Sequence, residues 1–472
     1  MENKILDEVT EIWISPENNI PKADELLALI KDKRITEFRE AALRIPPPDM
    51  AGLFDGVPKE ERVLLYRLLP KDFAAEVFIE MSAELEEELI ASFTDKELSE
   101  FLSELYLDDT VDIIEEMPAI VVKRIIKNSS GENRSLINEL LRYPKDSAGT
   151  IMTPEYVKLK PEMTVKEALS HIREVAIDKE TVYTCYVTDD KRRLIGLVTA
   201  KKLMLSNLDT KLSEIMEDSV IFALTTDDKE TVANKFNKYG FIALPVVDNE
   251  HRLVGIVTVD DAIYVLREEA EEDFAKMAAI TPAQTEYLKT PATKIFKARI
   301  PWLLLLMISA TFSSAILSYF EASLIPVLVL FVPMLMDTGG NSGSQASVTA
   351  IRGLSTGEVE MSDALRVLWK EIRVGILCGV SLGVVAFGKV LLVDRLIMNN
   401  SAVTLTVAAA VALALTATII VAKIIGSLLP LLAKRIGFDP AVMASPFITT
   451  IVDAIGLIVY FMISAYAFGL TV

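Results

Sequence analysis

Three kinds of patterning in one chain predict a multidomain fold. It has an all-α superhelical N-terminal part, an α/β part built as a tandem repeat, and an α-helical transmembrane part with five helices. The first observation is charge: residues 1–298 carry 58 acids and 38 bases, net −20, whereas Arg299 onward carries nine acids and ten bases, net +1. The second is hydropathy. Five apolar segments, at about 300–320, 323–350, 373–394, 402–433 and 441–470, follow one another, each of a length that suits a bilayer crossing. The third is self-similarity between residues 148 and 264.

Composition narrows the function. An acidic excess disfavours nucleic acid and anionic lipid as partners of the first part and favours cations. Cys185 and Cys378 fall in different parts, so neither a disulfide framework nor a thiolate metal site is indicated. Two histidines, His171 and His251, are too few for an imidazole site for zinc or copper. Met1-Glu-Asn-Lys-Ile-Leu-Asp7 lacks the basic-then-apolar order of a signal peptide, so the acidic part is expected in the cytosol. No G-x-x-x-x-G-K-[ST] loop for nucleotide hydrolysis occurs, and the chain is expected not to be an enzyme.

Residues 1–147 read as short amphipathic helices without strands. Thr94-Asp95-Lys96-Glu97 fits a capping box, in which side chains at both ends satisfy the first free N–H groups. Pro118 suits a first helical position. Asp108 and Asp112 stand at i and i+4 on one face, either a solvated acidic surface or part of a site.

Residues 148–264 hold two copies of a strand–helix–hairpin–helix unit. Leu194-Ile-Gly-Leu-Val-Thr-Ala-Lys-Lys202 recurs as Leu253-Val-Gly-Ile-Val-Thr-Val-Asp-Asp261, and Ile151-Met152 and Ile215-Met216 open the copies. Residues 265–298 read as a connecting helix, acidic from Leu266 to Asp273 and basic at Lys289, Lys294 and Lys297, interrupted near Pro282 and Pro291.

In the membrane part, the loops after segments two and four carry Arg352, Arg366, Lys370, Arg373, Lys434 and Arg435, whereas the outer connections offer only Arg395. The positive-inside rule then places the N-terminus in the cytosol and the C-terminus outside. Segment two runs Phe331-Val-Pro333-Met-Leu-Met-Asp337-Thr-Gly339-Gly340-Asn341-Ser-Gly343-Ser-Gln345. Proline, glycines and amides at membrane depth predict a broken helix lining a cavity or packing closely on its neighbours. Pro430 predicts a second break. The last segment carries one carboxylate near its middle, Asp453, with Thr449, Thr450 and Gly456 on or beside its face. A charge there costs about 2.5–3.5 kcal/mol on insertion scales and marks a functional position by default. Lys389 and Lys423 are expected to snorkel to helix ends, which leaves Asp453 without a partner unless a cation visits it. A buried pair with a base is the alternative.

The repeat resembles the tandem CBS module, a regulatory pair that binds adenosine ligands. The resemblance implies that an acid three residues after Thr258, here Asp261, holds ribose hydroxyls. The first copy has Lys202 instead, so one adenine nucleotide, ATP or a relative, is implied per chain. A cation at Asp261 and a purely structural pair remain the alternatives.

Pro333-x5-Gly-Gly-Asn-x-Gly-x-Gln345, Asp439-Pro440, Pro446 and Asp453-x-x-Gly456 closely resemble the MgtE family of magnesium transporters, as does the order of parts. The resemblance implies an acidic N domain at 1–147, a CBS pair at 148–264, a connecting helix at 265–298 and a five-helix pore domain at 299–472. It implies a homodimer in the cell (inner) membrane with a pore on the dimer axis. It also implies that Asp453 is the main site for the ion, with Thr449, Thr450, Gly456, Asn341 and Gln345 expected along the path. The resemblance further implies that Glu76, Asp108, Asp112, Glu230, Asp261, Glu269, Glu272 and Asp273 bind regulatory Mg²⁺. Ser445 departs from the pattern, standing where an Asn can occur. The chemistry agrees with the resemblance: Mg²⁺ loses water reluctantly, and two Asp453 carboxylates across a two-fold axis would hold it without a dehydrating cage. Rival readings are a transporter of Mn²⁺ or Co²⁺ and a membrane-anchored CBS sensor that transports nothing.

Overall fold

Successive helices of the N-terminal part start at one fixed interval. Their N-cap residues are Arg34, Pro46, Pro58, Pro70, Ser82, Thr94, Tyr106, Pro118 and Ser130, one every 12 residues. Each helix is 8–10 residues long, about two and a half turns, so the chain leaves it on the side opposite its entry. One register position is buried in seven successive helices: Ala42, Phe54, Tyr66, Phe78, Ile90, Leu102 and Ile114. Within that row Phe54, Tyr66 and Phe78 meet edge to face, with ring centroids 6.3 and 6.1 Å apart. Helices pack on the next but one, as Pro47–Phe54 does on Lys71–Ile79, which makes the expected superhelix. The capping box is present, Thr94 Oγ1 accepting from Glu97 N at 3.2 Å and Glu97 accepting from Thr94 N at 2.7 Å. Pro118 is the N-cap itself rather than the first helical residue.

The computed structural model describes residues 21, 23–282, 287–288, 290–321, 326–443 and 445–469, which divide into two units, Met1–Val265 and Leu266–Val472. Met1–Asp7, Lys289 and the side chain of Ser445 lie outside the described residues.

The repeat forms two three-stranded sheets. Strands β1 (Tyr156–Leu159), β2 (Thr181–Thr188) and β3 (Leu194–Thr199) make one, and β4 (Ala223–Leu224), β5 (Ala243–Val247) and β6 (Leu253–Thr258) the other. In each, the first strand is parallel to the second and the second antiparallel to the third. The hairpin turns are matched. Asp189 Oδ1 accepts from the N–H groups of Lys191 and Arg193, and Asp248 Oδ1 from those of Glu250 and Arg252. The copies also interlock: Thr153, at the opening of the first copy, bridges to Ile256 of the second, and Glu217, at the opening of the second, bridges to Leu197 of the first. Glycine permits this. A Cβ at Gly255 would lie 2.7 Å from Met152 Sδ, and one at Gly196 would lie 2.8 Å from Met216 Sδ. The paired methionines and glycines of the repeat are therefore one contact made twice.

In the second unit, the helices after the connector are α4 (Ala292–Glu321), α5 (Val332–Ser355), α6 (Ala364–Lys389), α7 (Leu405–Arg435) and α8 (Ser445–Phe468). The helices named α1 to α3 below are Ala83–Ser92, Leu107–Glu116 and Val259–Met277. Among the described residues four helical stretches are long and apolar enough to cross a membrane: Ala292–Phe320, Met361–Ile397, Leu405–Arg435 and Pro446–Phe468. Helix α5, 24 residues long, falls outside that set because of its polar residues, yet it packs on α7 and α8 at the centre of the bundle.

Three sequence expectations need correction here. The break in segment two lies at Leu330–Phe331, between the short helix Pro326–Val329 and α5, rather than at the glycines: α5 is continuous over Val332–Ser355 with Pro333 in its first turn, where proline removes no intrahelical bond. Its glycines serve contact instead, since a Cβ at Gly343 would lie 2.9 Å from Ile448 Cγ2, and one at Gly426 of α7 only 2.2 Å from the Gly343 carbonyl oxygen. Pro430 likewise sits inside an unbroken α7. Lys423 does not snorkel; it is 5% exposed, with neighbouring helices covering its stem. Lys389 instead is half-exposed and pairs with Asp394 at 2.9 Å.

Candidate ion path and acidic cluster

In the bundle, helix α5 turns Asp337, Asn341 and Gln345 to one exposed face, because residues four apart stack along a helix. Helix α8 brings Asp453 beside that face: a Cβ at Gly340 would lie 3.7 Å from Asp453 Oδ1 and 3.1 Å from Thr449 Cγ2. Asp453 has no hydrogen bond or ion pair among the described residues, and its charged neighbour is another acid, Asp337. Thr449 and Thr450 both donate to the Pro446 carbonyl, at 2.9 and 3.1 Å, so they offer lone pairs rather than protons. Gly456 is a packing position, its missing Cβ 2.9 Å from Thr418 Cγ2. Sequence reasoning missed Thr418, whose hydroxyl is buried without a hydrogen-bond partner among the described residues, and Ser347, which ties α5 to the Met443 carbonyl at 3.0 Å.

The end of α5 meets the connector. Ser355 donates to Asp273 of α3 at 3.0 Å, and Lys276 bridges Glu272 at 2.6 Å and Asp439 at 2.5 Å. Met277 packs beside Ile351 and Ala441. Burial holds the Asp273 carboxyl above the ordinary range, against the bond from Ser355. Glu269 stands half-buried on the same helix.

The first unit contains the second feature. Helix α2 opens with Asp108 and Asp109 in its first turn, followed by Asp112. A helix N-terminus favours negative charge, but here desolvation and mutual repulsion outweigh that help. Burial, with Asp109 and Asp261 nearby, pushes the Asp108 carboxyl well up. Burial and Asp261 lift Asp109 to about 7. Asp112 is exposed as a residue, yet burial of its carboxyl end and then Asp261 lift it to about 8. From the repeat come Glu180, lifted to about 8 by burial and by Asp261, and Asp261 itself, lifted to about 6 by burial. Glu86 of α1, 5% exposed, is lifted to about 8 by burial and then by Glu116 and Asp112. Asp108 Oδ1 and Glu180 Oε2 are buried without a hydrogen-bond donor. No set of three or more acids, cysteines or histidines among the described residues converges as a finished metal cage. Sequence reasoning found Asp108, Asp112 and Asp261 but missed Glu86, Asp109 and Glu180. Glu76 is exposed on another helix, and Glu230 is half-buried in Lys229–Tyr239.

These shifts carry a pH signature. A carboxyl whose folded value exceeds its unfolded one stabilises the fold fully below about pH 4 and loses that stabilisation as pH rises through the folded value. With a divalent chelator present, the unfolding temperature of the soluble part should fall by several degrees between pH 5 and 8. Millimolar Mg²⁺ should remove most of that slope. A thermal melt with no pH dependence in chelator would show the acids to be solvated and independent.

Comparisons with known proteins match all three parts of the chain. Residues 332–463 match a family described as divalent cation transporter, residues 45–146 the MgtE intracellular N domain, and residues 148–207 and 212–268 the CBS domain. A magnesium transporter MgtE of Thermus thermophilus is 36% identical over 93% of this chain and 98% of its own length. A crystal structure of the soluble part of a magnesium transporter is 31% identical, with TM-score 0.50, covering 52% of this chain and 98% of that one. The cytosolic domain of the Mg²⁺ channel MgtE, solved in complex with ATP, is 38% identical with TM-score 0.49, covering 52% and 99%. The chain is a non-enzymatic, multi-pass membrane protein and belongs to the MgtE family of magnesium transporters.

Proposed function

We propose that the protein passes Mg²⁺ down its electrochemical gradient along the polar face of α5 and past Asp453, and that cytosolic Mg²⁺ bound among the acids of the first unit closes this path. The observation that carries the reading is a carboxylate inside an apolar bundle with no counter-charge, next to a stripe of amide and carboxylate side chains. A membrane potential of ~100 mV is worth about 4.6 kcal/mol for a divalent ion, so no hydrolysis step is needed. The stripe is open in one chain, which fits a homodimer with two such faces about a shared axis. The soluble unit lies on the cytosolic side and the C-terminus outside, as the basic loops require.

The test is ion flux in proteoliposomes without nucleotide. Mg²⁺ uptake should follow the imposed potential and should be competed by Mn²⁺ or Co²⁺ only at higher concentration. Absence of flux from folded protein would favour the sensor reading, and stronger flux of Mn²⁺ than of Mg²⁺ would reassign the ion.

A nucleotide reading rests on one contact: Thr258 Oγ1 lies 2.5 Å from Asp261 Oδ2, which fixes the carboxylate in the motif position. The protein then binds one adenine nucleotide per chain, and calorimetry should show a stoichiometry near one that Asp261→Ala removes. Two equal sites, or none, would reject it. Asp261 also faces Asp108, Asp109, Asp112 and Glu180, so the same carboxylate serves the regulatory cation.

A further inference from the structure

Lys423 is the residue for which the reading so far has no use. It lies 12 residues from the end of α7 at Arg435, about 18 Å along the axis, and is 5% exposed. Two close helix contacts confine it. Gly375 of α6 sits against its stem, where an added Cβ would lie 3.5 Å from Lys423 Cβ and Cγ. Three residues on, Gly426 presses against the Gly343 carbonyl. The side chain is thereby directed across to α5, where Nζ lies 3.5 Å from Gln345 Oε1. No carboxylate pairs with it among the described residues, so its charge is not neutralised within the bundle. A buried ammonium with one long hydrogen bond to an amide is a costly arrangement for structure alone.

Gln345 is the third member of the exposed stripe Asp337, Asn341, Gln345. It lies five residues beyond Gly340, the position facing Asp453, or about 7.5 Å towards the end of α5 that meets the connector. Along this face the acids come first and the positive charge comes after them. We propose that Lys423 is a fixed positive charge in the ion path. It weakens cation binding beyond Asp453, prevents a second divalent ion from settling beside Gln345, and speeds release of the first toward the connector end. This rests on the ion path proposed above and adds to it a residue that sets how tightly the ion is held.

The test is Mg²⁺ uptake kinetics in proteoliposomes for the wild type, Lys423→Met, Lys423→Gln and Lys423→Arg, each first checked for a single folded species by size exclusion and thermal melt. Lys423→Met and Lys423→Gln should lower the half-saturating Mg²⁺ concentration about tenfold and the maximum rate by a similar factor. Cobalt(III) hexammine, a fixed-shell mimic of hydrated Mg²⁺, should block them about tenfold more tightly. Lys423→Arg, which keeps the charge, should stay near wild type. Lys423→Gln keeps a hydrogen-bonding group, so it supplies the comparison if the methionine variant does not fold. Wild-type kinetics in either folded neutral variant, or an altered melting temperature alone, would overturn the proposal and leave a structural hydrogen bond. Asp453→Asn measured alongside separates the two levels. If it loses flux while the neutral Lys423 variants behave as wild type, only this inference falls; if it conducts normally, the path itself is misplaced.

Discussion

Asp453→Asn should abolish Mg²⁺ flux, by at least about 100-fold, with the protein still folded and of unchanged oligomeric size. At 4 Å and an effective dielectric of 20, a carboxylate and a divalent ion attract by roughly 8 kcal/mol before solvation is counted, twice the unit-charge value. Even a third of that surviving as net free energy gives the stated factor, at 1.4 kcal/mol per decade. Asparagine keeps the shape and one oxygen acceptor, so a loss of flux reports the charge. Removing an uncompensated charge from the bundle also relieves a desolvation cost, and the variant should melt no lower than the wild type. A folded Asp453→Asn protein with wild-type flux would show that the ion passes elsewhere.

Joint neutralisation of Asp108, Asp112 and Asp261 should leave the protein conducting at millimolar cytosolic Mg²⁺, where the wild type should shut. These acids, with Asp109 and Glu180, have their carboxyl ends buried together, and no base forms an ion pair with them among the described residues, so burial and mutual repulsion push their carboxyls up rather than down. Each like-charged pair at 4 Å costs about 4 kcal/mol at a dielectric of 20. Mg²⁺ reverses that sign, and a ligand that binds only the assembled cluster stabilises it by mass action. Triple substitution removes both the repulsion and the ligand, so the soluble part should stay assembled in chelator yet cease to respond to Mg²⁺. Limited proteolysis of the full-length protein checks this directly. The wild type should be protected by Mg²⁺ and not by KCl of matched ionic strength, and the variant should be equally resistant in both. Normal closure by the variant would place the sensor outside this cluster.

What could be read from the sequence followed the physics of rarity. A carboxylate within an apolar run is conspicuous, so Asp453 was legible, as were Asn341 and Gln345 in a segment otherwise suited to lipid. The tandem repeat was legible because its strands recur nearly letter for letter; its interlock was not, since nothing in Met152 or Gly255 alone shows that they touch. The 12-residue period of the N-terminal helices is not legible in residue identity. The shared core position is filled by Ala, Phe, Tyr, Ile and Leu in turn, and the caps change from Pro to Ser, Thr and Tyr, so only the spacing repeats. Segment two breaks just ahead of Pro333, at Leu330–Phe331, but stays helical through its glycines, and α7 stays helical through Pro430, because close helix packing there overrides local propensity. Lys423 was misjudged for the opposite reason. Its burial is set by Gly375 on another helix, which no local pattern reveals. Glu86 and Glu180 look like ordinary surface acids until the fold brings them to Asp112 and Asp261.

The most direct test of the whole account is wild-type flux in proteoliposomes as Mg²⁺ is raised from micromolar to about 10 mM on the side bearing the soluble unit. A constant outward-facing supply and constant ionic strength should be kept. Flux should fall steeply with more than first-order dependence on Mg²⁺, and substitution of KCl for the added MgCl₂ should leave it unchanged. A flux that stays constant as Mg²⁺ rises, or that KCl suppresses equally, would contradict the account.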